Sequence, residues 1–156
     1  SSASGVEVFK VKTLEECLYT PIKVTFVNKF GAFQDLIFFK KSIDKTSVKG
    51  EEFKTAVFDQ ATLTYKTYQH QRTQFMVQGT DSITMNTGYI SEDYNQVIEQ
   101  LMLSEQVWCT FITDTEEVRP LVPKTKSFTH KTQLNDKLID YTIEFDIANN
   151  KINNIR

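Results

Sequence analysis

The chain contains few of the residues that build covalent or metal-stabilised folds. Its 156 residues include two cysteines and two histidines. Cys17 and Cys109 are too few for a disulfide framework and lack the spacing of a CxxC site, so we expect both to be reduced core residues. His70 and His130 have no companion at the spacing of metal ligands, so we predict no metal site.

Glycine and long apolar runs are also scarce. With five glycines, the chain has no glycine-rich loop between a strand and a helix, so nucleotide binding has no support and we expect no cofactor. No run of about eighteen apolar residues is present, which excludes a membrane-spanning helix. We therefore expect no contact with a membrane.

Neither sign of charge dominates. The 18 basic and 20 acidic side chains are scattered along the chain, which is a poor match to a phosphate backbone and argues against nucleic-acid binding. The hydrophobic fraction of 40% is too high for a disordered chain. Residues 1–5 resemble a tag remnant or linker, and we expect residues 6–156 to form a single soluble domain.

Alternation of apolar and polar residues predicts most of the secondary structure. It is clearest over 138–147, and the segment 128–134 also alternates, so the two predict a C-terminal hairpin around Asn135-Asp136. Residues 72–90 predict a second hairpin that turns at Gly79-Thr80-Asp81. Weaker strands are predicted at 6–12, 42–48 and 53–58, and a buried strand at 107–112. Pro120 and Pro123 predict an extended edge or connector, because proline cannot donate to a ladder.

One helix is predicted, at about residues 91–105. Ser91 is a candidate N-cap, and Glu92 and Asp93 follow in the first turn, where the helix dipole favours carboxylates. Five apolar residues recur at spacings of three and four: Tyr94, Val97, Ile98, Leu101 and Met102. Many short strands with one helix predict a mainly β fold, an antiparallel β-sandwich or split barrel with one flanking α-helix.

Motifs for catalysis are missing from the sequence. There is no GxSxG, no SxxK with its partner motifs, and no cysteine with an obvious histidine partner. The acidic stretch 114–117 lacks the alternating ligands and central glycine of a calcium loop. We predict no catalytic residues and expect that the chain is not an enzyme.

Exposed aromatic residues are candidates for ligand stacking. Tyr65 and Tyr68 are flanked by polar residues, which is typical of a surface, whereas Trp108 lies in an apolar run and is expected in the core. An extracellular β-sandwich that binds glycan or a surface protein is therefore one functional hypothesis.

The hairpin over 22–41 is apolar on both faces of its second strand. Leu36 and Phe38 share one face, and Phe33, Ile37 and Phe39 share the other. Either the predicted helix covers the second face of a central strand, or a neighbouring subunit covers it. Phe33, Ile37, Phe39, Tyr65 and Tyr68 are the predicted binding residues.

Three segments resemble virion proteins of tailed bacteriophages, found near the C-terminal end of longer structural chains. They are YTPIKVTFVNKFGAFQDLIFFKKS (19–42), TMNTGYISEDYNQVIEQLMLSEQVW (84–108) and KTQLNDKLIDYTIEFDIANNKINNIR (131–156). The resemblance implies a non-enzymatic tail or tail-associated component, located in the virion and assembled in the host cytoplasm. It implies contacts with other virion proteins or with copies of the chain itself, in a homo-oligomeric ring.

Overall fold

The structure of the protein, a computed structural model, describes residues 18–111, 117–127, 129–131 and 139–152. A 3-10 turn (Glu92–Tyr94) leads into one helix, α1 (Asn95–Leu103). The strands are β1 (Ile22–Val27), β2 (Phe33–Phe38), β3 (Ile43–Lys54), β4 (Phe58–Asp59), β5 (Thr64–Tyr65), β6 (Arg72–Asn86), β7 (Val107–Phe111), β8 (Glu117–Pro123), β9 (Thr142–Ile147) and β10 (Lys151–Ile152).

The strands form one large antiparallel sheet and one small one. The large sheet has eight strands in the order β10-β6-β9-β8-β7-β1-β2, with β3 paired to β6, and β4 pairs with β5 separately. The prediction of a mainly β, antiparallel fold with one helix is confirmed. The arrangement is consistent with the predicted sandwich or split barrel.

Alternation along each strand separates an inner face from an outer face. Val24 pairs with Leu36 on one side and Cys109 on the other, and residues paired directly across an antiparallel ladder share a face. All three are buried, so they define the inner face. Cys109 is a free cysteine, and burial raises the pKa of its thiol to about 11.

The helix covers part of the inner face. Ile98 and Leu101 are fully buried in the same core cluster as the inner-face residues, and Val97 and Met102 pack against it. The predicted apolar stripe is confirmed for these four residues, whereas Tyr94 is exposed and lies in the 3-10 turn. Ser91 does not cap the helix with its side chain. Instead, its carbonyl accepts a hydrogen bond from the Tyr94 N–H at 3.1 Å, because the first turn is a 3-10 turn.

Aromatic packing shows that the large sheet curls. The ring centroids of Phe38 in β2 and Phe145 in β9 lie 6.2 Å apart. These strands are separated by β8, β7 and β1, and in a flat sheet with roughly 4.8 Å between neighbours they would be about 19 Å apart. The sheet must therefore bend around its core, as in a split barrel.

The gap between the two ends of the curled sheet is closed where the chain after β2 contacts the chain after β6. A Cβ on Gly88 would lie 2.4 Å from ring atoms of Phe39, so this ring packs directly on the glycine backbone. Gly88 also has φ +68, a left-handed conformation that favours glycine. Phe39 thus contributes to closing the barrel.

A buried polar network joins the start of α1 to Tyr141, the residue before β9. The Tyr141 hydroxyl donates to the Asn95 side-chain oxygen at 2.5 Å and accepts from the Lys131 N–H at 2.9 Å. The Asn95 amide donates to the Lys131 carbonyl at 2.8 Å, which completes a closed set of hydrogen bonds. Such satisfied networks fix one arrangement of the elements that they join.

Two predicted features are wrong because of distant pairing. Residues 72–86 form one continuous strand and no hairpin, since Gly79 pairs with Val48 on one side and with Lys151 on the other. A Cβ on Gly79 would lie 3.4 Å from that of Lys151, so the glycine allows a close approach of β10. The Lys151 ammonium binds the Asp81 carboxylate and lowers the pKa of this group.

The region around Pro120 and Pro123 is also different from the prediction. It is neither a sheet edge nor a connector but the strand β8, between β7 and β9. The weak strand at 42–48 lies in β3, which continues past a bulge at Gly50 and ends at Lys54. Only the start of the predicted strand 53–58 is therefore in β3, and Phe58 begins β4.

The predicted C-terminal hairpin is not formed among the described residues, because its second strand corresponds to β9, which pairs with β6 and β8. Strand β9 begins at Thr142, with Ile139 in an isolated bridge to Ile90. Residues 129–131 are not in a strand. Residues 1–17, with the predicted strand 6–12, the tag remnant and Cys17, lie outside the described residues, as do 112–116, Phe128 and 132–138, with the turn at Asn135-Asp136.

Gly88→Ala tests the seal of the barrel. We expect it to lower the free energy of unfolding by about 2–4 kcal/mol, because the new Cβ would meet the Phe39 ring in a left-handed backbone conformation. Gly31→Ala is the matched control, since Gly31 has φ +79 but nothing within 4 Å of an added Cβ, and should cost only about 1 kcal/mol. Urea denaturation measures both, and equal losses would show that the Phe39 contact contributes nothing.

Candidate functional site: a β-arm and an outer sheet face

A long two-stranded ribbon extends from one end of the large sheet. In the described part of the chain, β6 pairs with β9 only over residues 82–86 and with β10 at Gln78 and Gly79. Beyond Gln78 its ladder partner is β3, as far as the pair Lys54 and Arg72. We call residues 49–77 the β-arm. At about 3.4 Å per residue, it extends roughly 20 Å past Gln78 before its tip begins.

The sequence of β3 explains why this ribbon is not part of the core. Every residue from Ile43 to Lys54 is exposed, and charged side chains occur on both faces of the strand. A strand that is polar on both faces cannot bury one of them in a core. This signal was available in the sequence, but the segment gave only two weak strand predictions and no site.

The β-arm nevertheless exposes many large apolar side chains. Its exposed large hydrophobic residues are Phe53, Phe58, Leu63, Tyr65, Tyr68, Phe75 and Met76. At about 200 Å² per aromatic side chain, the five aromatic residues alone expose on the order of 500 Å². This area is summed over residues along the ribbon and its tip, and it is comparable with the largest contiguous apolar patch of a whole monomeric protein, typically about 300–600 Å². The arm therefore has the composition of a contact surface.

Two of these apolar residues have left-handed backbone conformations. Leu63 has φ 52 at the tip, and Met76 has φ 51 at the bulge, where Gly50 lies opposite Met76 and Val77. Bulky residues in this region cost about 1–2 kcal/mol, which glycine would avoid. Backbone strain of this kind is concentrated at functional sites. Both side chains are largely exposed, at 75% and 69%.

The two predicted tyrosines lie on this arm. Tyr65 pairs with Phe58 in the small β4–β5 sheet at the tip, and the Lys66 ammonium is 5.9 Å from the centre of the Tyr68 ring. Tyr65 and Tyr68 are 68% and 73% exposed. The structure thus places both tyrosines at the tip of the β-arm. Phe33 and Ile37, the predicted binding residues of β2, lie elsewhere, on the large sheet.

The outer face of the large sheet carries a second exposed apolar surface. Phe33 is 73% exposed, and its ring lies 6.0 Å from that of Trp108. We define the outer face by Phe33, Ile37, Trp108, Val118 and Val122, of which Trp108 is half-buried and the others are exposed. Trp108 is not in the core as predicted, because alternation in β7 turns Val107 and Cys109 inward and the tryptophan outward.

The helix does not cover this surface. It packs on the inner face, whereas Phe33 and Ile37 point to the outer face, and β2 is at the end of the sheet and not at its centre. The explanation that the helix covers Phe33 and Ile37 is therefore wrong. Phe39 is half-buried against Gly88 and is not grouped with them.

The cavities and the charged groups of the described residues give weaker indications of a functional site. A cavity of about 610 Å³ lies between the β1–β2 turn and α1, lined by Asn28, Lys29, Gln96, Gln100 and Leu103, among others; sequence reasoning did not predict it. Within the described ranges, no three His, Cys, Asp or Glu side chains are grouped so that they could hold a metal ion. No helix among the described residues is long and apolar enough to cross a membrane.

Met76→Gly tests the strain in the β-arm. Glycine removes the left-handed penalty of about 1–2 kcal/mol, partly offset by about 0.5–1 kcal/mol of backbone entropy. We expect slower or unchanged amide hydrogen exchange in the peptide that covers 43–54, measured by mass spectrometry. Gln74→Gly, in a regular part of the same strand, is the control and should speed that exchange. Faster exchange in Met76→Gly would contradict the assignment of strain.

Comparison with known proteins gives no functional assignment, so the β-arm and the outer face are the basis for a proposed function. The chain matches no family model, no curated protein and no solved structure.

Proposed function

We propose that the chain is a non-enzymatic structural module that assembles through protein–protein contacts made by its β-arm and its outer face. The observation that carries this proposal is the β-arm, a ribbon of exposed residues that includes large apolar side chains. The β-arm and the outer face both expose large apolar side chains. Enzyme sites, by contrast, are concave and contain convergent titratable groups.

The energetics of the β-arm favour a partner. An isolated two-stranded ribbon is marginally stable in water, and this one has no third strand beyond Gln78 among the described residues. Burial of about 500 Å² of aromatic surface at roughly 25 cal/mol per Å² releases on the order of 12 kcal/mol before the costs of association. A contact surface of this size can order the arm and hold a partner together.

The resemblance to phage structural proteins supports a place in a virion. All three resembling segments contribute to the body of the fold: residues 19–42 contain β1 and β2, residues 84–108 contain α1, and residues 131–156 contain β9 and β10. The β-arm lies between the first two segments and outside all three. We infer a tail or tail-associated component whose body has the shared architecture and whose arm makes the contacts particular to this chain, with other virion proteins or with copies of itself.

Sedimentation tests the virion assignment. Particles purified on a density gradient from a lysate of the source culture should contain the chain, as detected with an antibody against the recombinant protein. We expect it to stay with the particles through a wash at about 1 M salt, since apolar contacts are not screened as ionic ones are. Recovery only from fractions free of particles would contradict the proposal.

Glycan binding is the second candidate function, favoured by the exposure of Tyr65 and Tyr68 at the tip. Aromatic rings exposed in this way can stack on sugar rings. If this function is correct, a glycan array gives binders that are lost in the double variant Tyr65→Ala and Tyr68→Ala but kept in Leu103→Ala, an exposed apolar residue on α1. We expect no binders, because the structural role accounts for the same residues.

A further inference from the structure

We infer that the β-arm of one copy of this chain binds the outer face of a second copy, in a head-to-tail contact. This inference rests on the proposed function and adds the partner, a second copy of the chain, and the surface that receives the arm. It follows from the size and the accessibility of the two surfaces and from the separation of apolar and charged side chains on the arm.

The areas of the two surfaces match what a stable interface needs. With about 200 Å² for a whole aromatic side chain and somewhat less for an aliphatic one, the outer face exposes on the order of 400 Å² of apolar side chain and the β-arm about 800 Å². A standard interface buries about 800 Å² on each partner, of which a little over half is apolar. Each surface is thus large enough for one side of an interface.

The two surfaces of one copy do not cover each other. Phe33 and Val122 are exposed on the outer face, and Phe53 and Tyr68 are exposed on the arm. Strand β6 continues past the residues that pair with β9 and β10, so the arm extends beyond the end of the sheet. A contact between arm and outer face therefore needs two copies.

The β-arm separates its apolar and its charged side chains. Phe53 and Phe75 share one face, with ring centroids 5.7 Å apart, whereas Lys54, Arg72 and Glu52 share the other. An arm that lies on the outer face through Phe53 and Phe75 would therefore bury apolar side chains and keep these charged ones in solvent.

A contact between unlike surfaces satisfies both of them in every subunit. If two arms paired with each other, the outer faces would stay exposed, and if two outer faces paired, the arms would. With a head-to-tail contact each copy gives one arm and receives one, and repetition produces a ring if the rotation between neighbours closes. This is the geometry that a homo-oligomeric ring requires.

Mixing two defective variants of the full chain tests this inference. The arm variant is Phe53→Glu, and the face variant is Phe33→Glu, both at exposed positions. Size-exclusion chromatography with light scattering, at concentrations up to several hundred micromolar, gives the masses. We expect wild type to form species above one chain of 18.1 kDa, each variant alone to be a monomer, and a mixture to form a one-to-one heterodimer, because one intact arm can still bind one intact outer face.

Other outcomes overturn the inference. A face variant that still self-associates would indicate arm–arm contacts, and an arm variant that does would indicate face–face contacts. Self-association of wild type without complementation in the mixture would exclude the head-to-tail arrangement. A wild type that is monomeric throughout would exclude a second copy as the partner, while presence in virions, tested separately by sedimentation, would still support a structural role with other proteins.

A control variant on the other face of the arm guards against a loss of folding, which circular dichroism would detect. Lys54→Gln with Arg72→Gln leaves the face that carries Phe53 and Phe75 unchanged and should associate as the wild type does. An equal loss of association in this variant and in Phe53→Glu would contradict a contact through that face.

Discussion

The curl of the large sheet is the constraint on which the rest of the structure depends. A flat antiparallel sheet would leave its inner face too wide for one nine-residue helix to cover. Because the sheet bends until Phe38 reaches Phe145, the inner faces of distant strands pack on each other and the helix has only the remaining opening to fill. The contact of Phe39 with Gly88 holds this shape without a hydrogen-bonded ladder between β2 and β6.

This closure determines what is left for contacts with other molecules. Once the core is filled by inner-face residues, the outer face receives no helix, and its apolar side chains on β2, β7 and β8 stay exposed. Strand β6 is much longer than its neighbour β9, so part of it must continue past the body with only β3 beside it. The β-arm and the outer face thus have a common cause. The inner-face residues and α1 fill the core of the curled sheet, so neither of these two surfaces is buried in it.

The sequence predicted those parts of the fold where local pattern and final environment agree. Alternation in β1 and β9 reflects one buried and one solvated face, and the spacing in α1 reflects one buried stripe, so the fold class followed directly. The predictions of a turn at Gly79 and of an edge or connector at Pro120 were wrong because they used only neighbouring residues. The strands that pair with these regions, β10 and β9, come from far along the chain. Exposure of Phe33 and Ile37 depends on which face the helix takes, and only the three-dimensional arrangement shows this.

The root of the β-arm has a consequence for how such a chain can evolve. Lys49 and Gln78 face each other across the ladder, so the arm leaves and rejoins the body at nearly the same place. Loop-closure entropy grows only slowly with length, and no arm residue whose burial is described belongs to the buried core. The segment between these two residues can therefore be lengthened, shortened or exchanged while the barrel keeps its packing. Mutations in the arm can then change the contacts of the chain without changing its core.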